Sequence, residues 1–407
     1  MKINVKLEKK IQHLEIIPII SFLLFFKIVN IEFINSPVYT LAEYIFLFVA
    51  ALYSFRHANK INKEEYRVIS IVAILGICIF ISACINHVES YYIRAAAYYA
   101  VYLTILFFYL AVIASDGKVN EFLKAGKIYL TIVLCINDVL MILLPDVFYN
   151  IHERDIGTCL LGNKFSVAYA HMLYIFIVCF LEQNEAKRKK KLFICSVIMS
   201  VLCIFIDCTT ALLAIWVFVF LYFLGPKIRN ILSSPISVIL VFGLSSVLLI
   251  LFSDILNFAP LRFFIENILH RDATLTGRME VYPYISQLVS NHKWFGYGYG
   301  TTIVKETTIW YANVQNAFWD FIIRYGIITM IIMVVLLVFV VHRQHKIVKK
   351  KDMFQYYLWF GVCMIYVYIF MGIGEIVYGI YFFFYIAIIN AVCIESEITF
   401  AGGITHD

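Results

Sequence analysis

Long apolar runs, separated by short polar segments, cover almost the whole chain. Continuous runs without the alternation of barrel strands indicate membrane-spanning helices, because only helices and closed barrels satisfy the backbone in lipid. A spanning helix needs about 20 mostly apolar residues, and the pattern predicts about twelve such helices. The predicted spans are 15–34, 38–55, 68–86, 92–114, 125–144, 164–181, 192–206, 209–224, 235–252, 319–341, 354–372 and 377–395.

The apolar pattern has one long break, at residues 253–318, between the ninth and tenth predicted spans. This segment is polar and rich in aromatic residues, whereas the other connections are short. We therefore expect a single transmembrane domain over residues 1–407, an all-α polytopic integral membrane protein with one large loop. The active site is expected in that loop.

Basic residues mark every second loop, and such loops face the cytoplasm. This rule places both termini in the cytoplasm and the 253–318 loop outside, together with segment 145–163 and the short turn after residue 370. The basic residues of the cytoplasmic loops are Lys2, Lys6, Lys9, Lys10, Arg56, Lys60, Lys63, Arg67, Lys118, Lys124, Lys127, Lys187 to Lys191, Lys227, Arg229, Arg343, Lys346 and Lys349 to Lys351.

Composition agrees with this assignment. Of the 407 residues, 62% are hydrophobic and 15% are charged, which excludes a soluble domain of this size. The net charge of +6 lies mostly in short loops, so it indicates topology and not a nucleic-acid partner. No group of histidines, cysteines or acids has the spacing of metal ligands, and we predict neither a metal nor a cofactor.

Few basic residues remain on the predicted outer side, and Arg94, Arg154, Arg278 and Arg324 are among them. The planar guanidinium donates paired hydrogen bonds to phosphate, so these arginines are candidates for binding a pyrophosphate. Arg278 is the best candidate because Thr276-Gly277-Arg278 predicts the start of a helix, where free backbone amides favour an anion. The alternatives are snorkelling of single arginines to lipid headgroups and a surface ion pair between Arg278 and Glu280.

The segment Gly296-Tyr297-Gly298-Tyr299-Gly300 predicts a flexible turn with aromatic faces. It does not lie between a strand and a helix, so it is not a dinucleotide-binding loop. Tyr297 and Tyr299 offer flat faces on which sugar rings can stack. The alternative is an aromatic belt at the membrane interface.

The tenth span begins with Gln315 and Asn316, and Asn316, Asp320 and Arg324 follow at intervals of four on one helix face. Ionisable groups in a span face protein or a water-filled cavity, because lipid does not solvate them. Asp320 and Arg324 either form a self-neutralising pair or serve the chemistry. Candidates for the general base are Glu280, Asp320 and Glu375, and the sequence does not rank them.

The order of these motifs resembles the O-antigen ligase and polymerase family of bacterial cell-surface polysaccharide enzymes. The similar elements are Gly-Arg followed by an aromatic residue, the Asn-His-Lys and Gly-Tyr-Gly-Tyr-Gly segments, and Gln-Asn opening a span that continues to Arg-Tyr-Gly-Ile. The layout of about twelve spans with one large outward loop is similar too. Two positions differ: Gln315 stands where ligases of the family carry a histidine, and Thr209-Thr210 lies where an arginine-containing turn is usual.

The resemblance implies a metal-independent glycosyltransferase that joins undecaprenyl-pyrophosphate-linked repeat units of a capsule or O-antigen. The missing histidine favours a polymerase over a ligase. Arg278, Arg154 and Arg324 would stabilise the leaving pyrophosphate, and one of Glu280, Asp320 and Glu375 would accept the proton. Gln315, Asn316, Tyr297 and Tyr299 would position sugars, with Arg94 as a further binding residue. The implied location is the bacterial cytoplasmic membrane with an outward site, and the implied partners are a chain-length regulator and a flippase.

Two other classes of function stay open at this stage. One is a transporter, a flippase or exporter of the same lipid-linked oligosaccharide, although such proteins usually show inverted repeats and polar groups near mid-membrane. The other is a scaffold, which the outward arginines and acids disfavour.

Overall fold

The computed structural model describes residues 16–29, 31, 37–86, 89–145, 159–251, 263, 278–308, 311, 313–350 and 355–401. Within these residues the fold is helical, and the one backbone bridge outside a helix joins Cys159 and Gly162. The helices are α1 Ile16–Ile28, α2 Pro37–Arg56, α3 Lys63–Ile85, α4 Ser90–Ser115, α5 Val119–Leu143, α6 Lys164–Phe180, α7 Glu185–Phe205, α8 Thr209–Tyr222, α9 Pro226–Leu232, α10 Pro235–Leu251, α11 Arg278–Asn291, α12 Ile303–Thr308, α13 Ala317–Lys350, α14 Gln355–Met371 and α15 Ile380–Ala401.

Each predicted span overlaps one of these helices. By length and composition, five described helices can cross a membrane, namely α3, α4, α5, α13 and α15. A sixth candidate arises if α8 and α9, which are bent by 119° at their junction, form one broken span. The all-α, multi-pass character is therefore confirmed, whereas the count of twelve spans and the side faced by the long loop stay predictions.

Asparagine side chains start several helices. Asn62 accepts hydrogen bonds from the amides of Glu64 and Glu65 at 2.9 and 3.0 Å, and Glu65 closes a capping box with it. The side chains of Asn163 and Asn184 likewise accept hydrogen bonds from backbone amides in the first turns of α6 and α7. These residues satisfy amides that have no partner inside the first helical turn, and they fix where each helix begins.

The burial pattern is that of a membrane protein. Large apolar side chains lie on the outside, with Phe55 and Ile204 each 69% exposed, a surface that suits lipid and not water. The centre holds three helices with long stretches buried on all sides, at residues 106–114 of α4, 359–369 of α14 and 382–394 of α15. Helix α4 packs mainly on α3 and α15, and α13 packs on the same two helices.

One end of the bundle gathers loops that the sequence predicts to be cytoplasmic. Lys60 pairs with Asp116 at 2.6 Å and so joins the second and fourth loops. Arg343, near the end of α13, pairs with Glu397 of α15 and lies 3.6 Å from the buried Glu65 of α3. These contacts agree with a common side for the basic loops. The start of α13 carries the candidate residues Asp320 and Arg324. It lies at the opposite end of this helix from Arg343.

Candidate active site

The long helix α13 is broken at Gly326, where φ is 81° and ψ is 171°. The break frees backbone groups that an intact helix would pair internally. The carbonyls of Ile323 and Arg324 accept hydrogen bonds from the amides of Tyr297 and Gly298, each at 2.8 Å. The glycine-rich loop is thus bonded to the broken helix through its backbone, and it is not the flexible turn that the sequence predicts.

Two glycines permit this close approach. A Cβ on Gly296, at φ 63°, would lie 2.5 Å from the carbonyl carbon of Arg324, and one on Gly326 would lie 2.1 Å from the carbonyl oxygen of Trp294. Helix α3 holds the same junction from the side. Ser82 donates to the carbonyls of Phe295 and Arg324, and Asn86 donates to the carbonyl of Gly296 at 2.9 Å. The backbone at Arg324 is therefore fixed by three chain segments.

The first two turns of α13 carry the buried ion pair. Arg324 Nε lies 2.7 Å from Asp320 Oδ2; the Asp320 side chain is 5% exposed and the Arg324 side chain 30%. The carboxylate therefore depends on this guanidinium for its charge balance, while other N–H groups of Arg324 remain to contact a ligand. The self-neutralising pair considered from the sequence is present, and it lies at the wall of a cavity.

Asn316 and Gln315 fix the start of α13. The Asn316 side chain is fully buried; its oxygen accepts from the Trp319 amide at 3.2 Å, and its nitrogen donates to the Ile373 carbonyl at 3.3 Å. Gln315 adopts φ 51°, an uncommon conformation for a residue other than glycine. Asn316 thus connects the helix start to the turn between α14 and α15, and the Gln315 amide donates to Asn313 Oδ1 at 2.9 Å.

Glu375 lies in that turn. The Thr210 hydroxyl at the start of α8 donates to Glu375 Oε1 at 3.2 Å, and the Glu375 amide donates to the Met371 carbonyl at 2.9 Å. Close by, Lys164 at the start of α6 donates to the Asp207 carbonyl at 3.1 Å. The starts of α6, α8 and α13 and the 371–379 turn therefore meet at one end of the bundle.

A cavity of about 400 Å³ opens beside the ion pair. It is walled by α1, α4, the first turns of α13 and the chain from residue 376 to residue 380. Its volume is in the range of small-molecule sites, about 300–1,000 Å³. The lining residues are Lys27, Ala95, Tyr98, Tyr99, Tyr102, Tyr299, Ala317, Asp320, Phe321, Arg324, Tyr325, Ile376, Tyr378, Gly379 and Ile380.

Tyrosine rings make up much of the wall. Tyr299 lies between Tyr99 and Tyr325, with ring centroids 6.0 and 6.4 Å apart. Burial raises the pKa of the Tyr299 hydroxyl above its ordinary value, although Arg324 acts in the opposite direction. The phenol therefore stays protonated at neutral pH and can donate a hydrogen bond.

The structure brings together only part of the predicted site. Asp320, Arg324 and Tyr299 line the cavity, and Asn316, Gln315 and Glu375 lie in the neighbouring turn region. Tyr297 instead packs on His292, with ring centroids 4.1 Å apart. Arg94 is exposed, and its Nε donates to the Ser90 carbonyl of its own helix at 3.3 Å. Arg278 begins α11 as predicted, but its side chain, the Glu280 side chain and the whole of Arg154 lie outside the described residues.

Sequence reasoning missed the contribution of α4. Ala95, Tyr98, Tyr99 and Tyr102 are spaced three and four apart, so they share one face of this helix, and that face lines the cavity. The signal was present in the tyrosine-rich segment 91–102. It was hidden because tyrosines in a predicted span also fit an interfacial belt.

Other reactive groups do not form a second centre within the described residues. His171 Nε2 lies 3.2 Å from Asp138 Oδ1, and no cluster of metal ligands occurs in the part of the chain that the structure describes. Burial raises the pKa of Cys208 to about 11, and burial together with Asp138 raises that of Cys159 to about 11. Both thiols are protonated at neutral pH and are poor nucleophiles.

The fold and this site define a multi-pass helical membrane protein with a tyrosine-lined cavity at one end of its bundle, walled in part by the Asp320–Arg324 pair. Residues 194–334 match the model of the family described as O-antigen ligase. The matched region runs from α7 into α13 and includes the broken helix and the ion pair. Over this region the chain is similar to that family, which confirms the resemblance to the O-antigen ligase and polymerase family. None of the curated proteins compared with the chain matches it.

Proposed function

We propose that the protein is a polysaccharide polymerase that joins undecaprenyl-pyrophosphate-linked repeat units at the outer face of the bacterial cytoplasmic membrane. Support for a ligase- or polymerase-type enzyme comes from the matched domain. The observation that carries the proposal is the Asp320–Arg324 pair, which belongs to the matched region and lies at the wall of a cavity. Gln315, in place of the histidine of ligases, favours polymerisation over ligation.

In the proposed reaction, a hydroxyl of one lipid-linked unit attacks the anomeric carbon of the sugar chain on another lipid. The new glycosidic bond forms as the bond from the anomeric carbon to the pyrophosphate oxygen breaks, and the lipid pyrophosphate leaves with that electron pair. The hydroxyl proton passes to a carboxylate, for which Glu375, Asp320 and Glu280 are the candidates. No metal is invoked in this scheme.

The arginines would balance the charge that develops on the leaving group. We assign this role to Arg278 and Arg154, and to the N–H groups of Arg324 that its bond to Asp320 leaves available. Asn316 and Gln315 would hold the start of α13 in place and position sugars, as would Tyr297 and Tyr299. Arg94 is one helical turn before Tyr98 and would act near the cavity entrance.

Glycan profiling in a deletion strain tests the function. The strain is complemented with the wild-type gene, with Arg278→Ala or with Arg56→Ala, and surface and lipid-linked glycans are separated by electrophoresis. Arg56 is an exposed arginine of α2, so it controls for the loss of a positive charge. We expect single lipid-linked units in the deletion strain, and ladders restored by the wild type and Arg56→Ala only.

Other profiles would support other functions. Full-length polymer that is made but not transferred to its final acceptor in the deletion strain would indicate a ligase. Single units retained on the inner leaflet would indicate a flippase. An unchanged ladder in the deletion strain would refute the proposed polymerase.

A further inference from the structure

A second cavity lies on the side of the bundle, between α3 and α13, and we call it the flank groove. Its volume is about 490 Å³, and its lining includes Lys63, Tyr66, Arg67, Ile74 and Phe339. Tyr66, Ile74 and Phe339 are 44%, 49% and 43% exposed, so a ligand can reach them from outside. Both helices are long and apolar enough to cross a membrane. The flank groove therefore opens towards lipid.

The face of α3 that lines this groove changes from polar to apolar along the helix. Lys63, Arg67, Ser70 and Ile74 follow one another at intervals of three or four, so they share one face, and all four are exposed. From Lys63 to Ile74 the helix rises about 16 Å, about half of the hydrocarbon thickness of a bilayer. The groove thus extends over about one leaflet, with two cations at one end and apolar side chains at the other.

The charged end of the groove lies away from the candidate active site. The start of α3 is beside the end of α13, where Arg343 lies 3.6 Å from Glu65. The other end of α3 reaches the ion-pair region, where Ser82 donates to the Arg324 carbonyl at 3.0 Å. The sequence predicts the start of α3 to be cytoplasmic and the active site to be on the outer side. The flank groove is therefore a separate site.

The two cations of the groove are not neutralised by their surroundings. Among the described residues, no acid lines the groove, and neither Lys63 nor Arg67 forms an ion pair or a side-chain hydrogen bond. Glu65 is buried and accepts from the Asn62 amide at 2.9 Å, and Glu64 is exposed but does not line the groove. The attraction for an anion comes from the side chains and not from the helix start, because Asn62 already bonds the first amides.

A phosphate that carries an apolar chain matches this arrangement. Arg67 can donate paired hydrogen bonds to phosphate oxygens, and Lys63 adds a second positive charge one helical turn away. Basic pockets between spanning helices on the cytoplasmic side bind anionic lipid headgroups in this way. A free phosphate would leave the apolar wall at Ile71, Ile74 and Phe339 unused. A zwitterionic lipid would bring a positive group of its own towards the two cations.

We propose that the flank groove binds one anionic phospholipid of the cytoplasmic leaflet. Its phosphate would lie at Lys63 and Arg67, and one acyl chain would follow Ile71, Ile74 and Phe339 into the leaflet. This inference does not depend on the proposed function. The lipid would contact α3 and α13 together and so stabilise the packing of these two helices at the end remote from the ion pair.

Native mass spectrometry of the full chain, purified in detergent, tests this site. The probes are phosphatidylglycerol and phosphatidylcholine with the same acyl chains, titrated separately, and inorganic phosphate as a competitor. The variant is the double substitution Lys63→Gln with Arg67→Gln. The matched control is Lys187→Gln with Lys190→Gln, which removes two exposed cations from the start of α7, away from the groove.

We expect the wild type and the control to bind one phosphatidylglycerol molecule with equal affinity, and phosphatidylcholine more weakly. Each cation should contribute about fivefold, so the double variant should bind phosphatidylglycerol about 25-fold more weakly. Its binding of phosphatidylcholine and its far-ultraviolet circular dichroism should match the wild type, which shows that it is folded. An excess of inorganic phosphate should not displace the lipid.

Three results would overturn the lipid site. One is equal affinity of the wild type for the two lipids, which would indicate contact with bulk lipid only. Another is equal binding of phosphatidylglycerol by the double variant and the control. The third is displacement of the lipid by inorganic phosphate, which would assign the two cations to a free anion.

Discussion

Replacing Gly326 with alanine should detach the glycine-rich loop from α13. The backbone at Gly326 has φ 81° and ψ 171°, a region open essentially to glycine, and another residue there costs about 1–3 kcal/mol. The new Cβ would lie 2.1 Å from the Trp294 carbonyl oxygen, so the loop must also move. If the three backbone bonds of 2.8 Å at Tyr297, Gly298 and Ile327 are lost, the total rises to about 3–7 kcal/mol.

Gly243→Ala is the matched control for this change. Gly243 lies within α10, and a Cβ there meets no atom within 4 Å, so alanine should be neutral or slightly stabilising. We would measure the apparent melting temperature of the purified protein, proteolytic cleavage at residues 293–300 and the glycan ladder in complemented cells. We expect Gly326→Ala to melt earlier, to be cleaved faster and to make less polymer. A Gly326→Ala protein that behaves like Gly243→Ala in all three assays would refute the reasoning.

Three further substitutions probe the ion pairs and the turn. Asp320→Asn leaves Arg324 without its counter-charge and should lower the free energy of unfolding by up to about 3–5 kcal/mol, less where water reaches the guanidinium. The double variant with Arg324→Gln should recover the melting temperature but not the polymer, and a double variant that melts as early as Asp320→Asn would contradict this. Thr210→Val removes the hydrogen bond to Glu375 and should reduce the polymerisation rate about three- to tenfold, whereas Thr210→Ser should not; equal rates would show that the contact is dispensable. Arg343→Leu should lower the free energy of unfolding by about 3–5 kcal/mol, and with it the melting temperature, without changing the glycan made at low temperature. An unchanged melting temperature would contradict this prediction.

The helices could be predicted because the length of each apolar run in the sequence indicates where a helix begins and ends. Segments 192–206 and 209–224, for example, correspond to the separate helices α7 and α8, and Cys208 precedes the second as expected from the polar turn. The break at Gly326 could not be predicted, because a single glycine between Tyr325 and Ile327 leaves the hydropathy of the run unchanged. Its cause is a contact with residues 293–298, about thirty positions earlier, and local pattern does not encode such a contact.

The candidate site was predictable only where its residues lie on one element. The spacing of Asn316, Asp320 and Arg324 placed them on one helix face, and the structure confirms that the last two are in contact. The partners of this face come from α1, α4 and the chain after α14, and the pairing of distant helices is set by tertiary packing. For that reason the sequence favoured Arg94, which points away along its own helix, over Tyr98 one turn later.

The origin of the cavity walls limits what an engineered exchange can achieve. Residues 194–334 supply the ion pair and Tyr299, but more than half of the described lining residues come from before or after that region. A chimera that receives only residues 194–334 from a relative would combine cavity walls from two proteins that do not match each other. An exchange that keeps this cavity intact would therefore have to graft the tyrosine face of α4 together with residues 194–334.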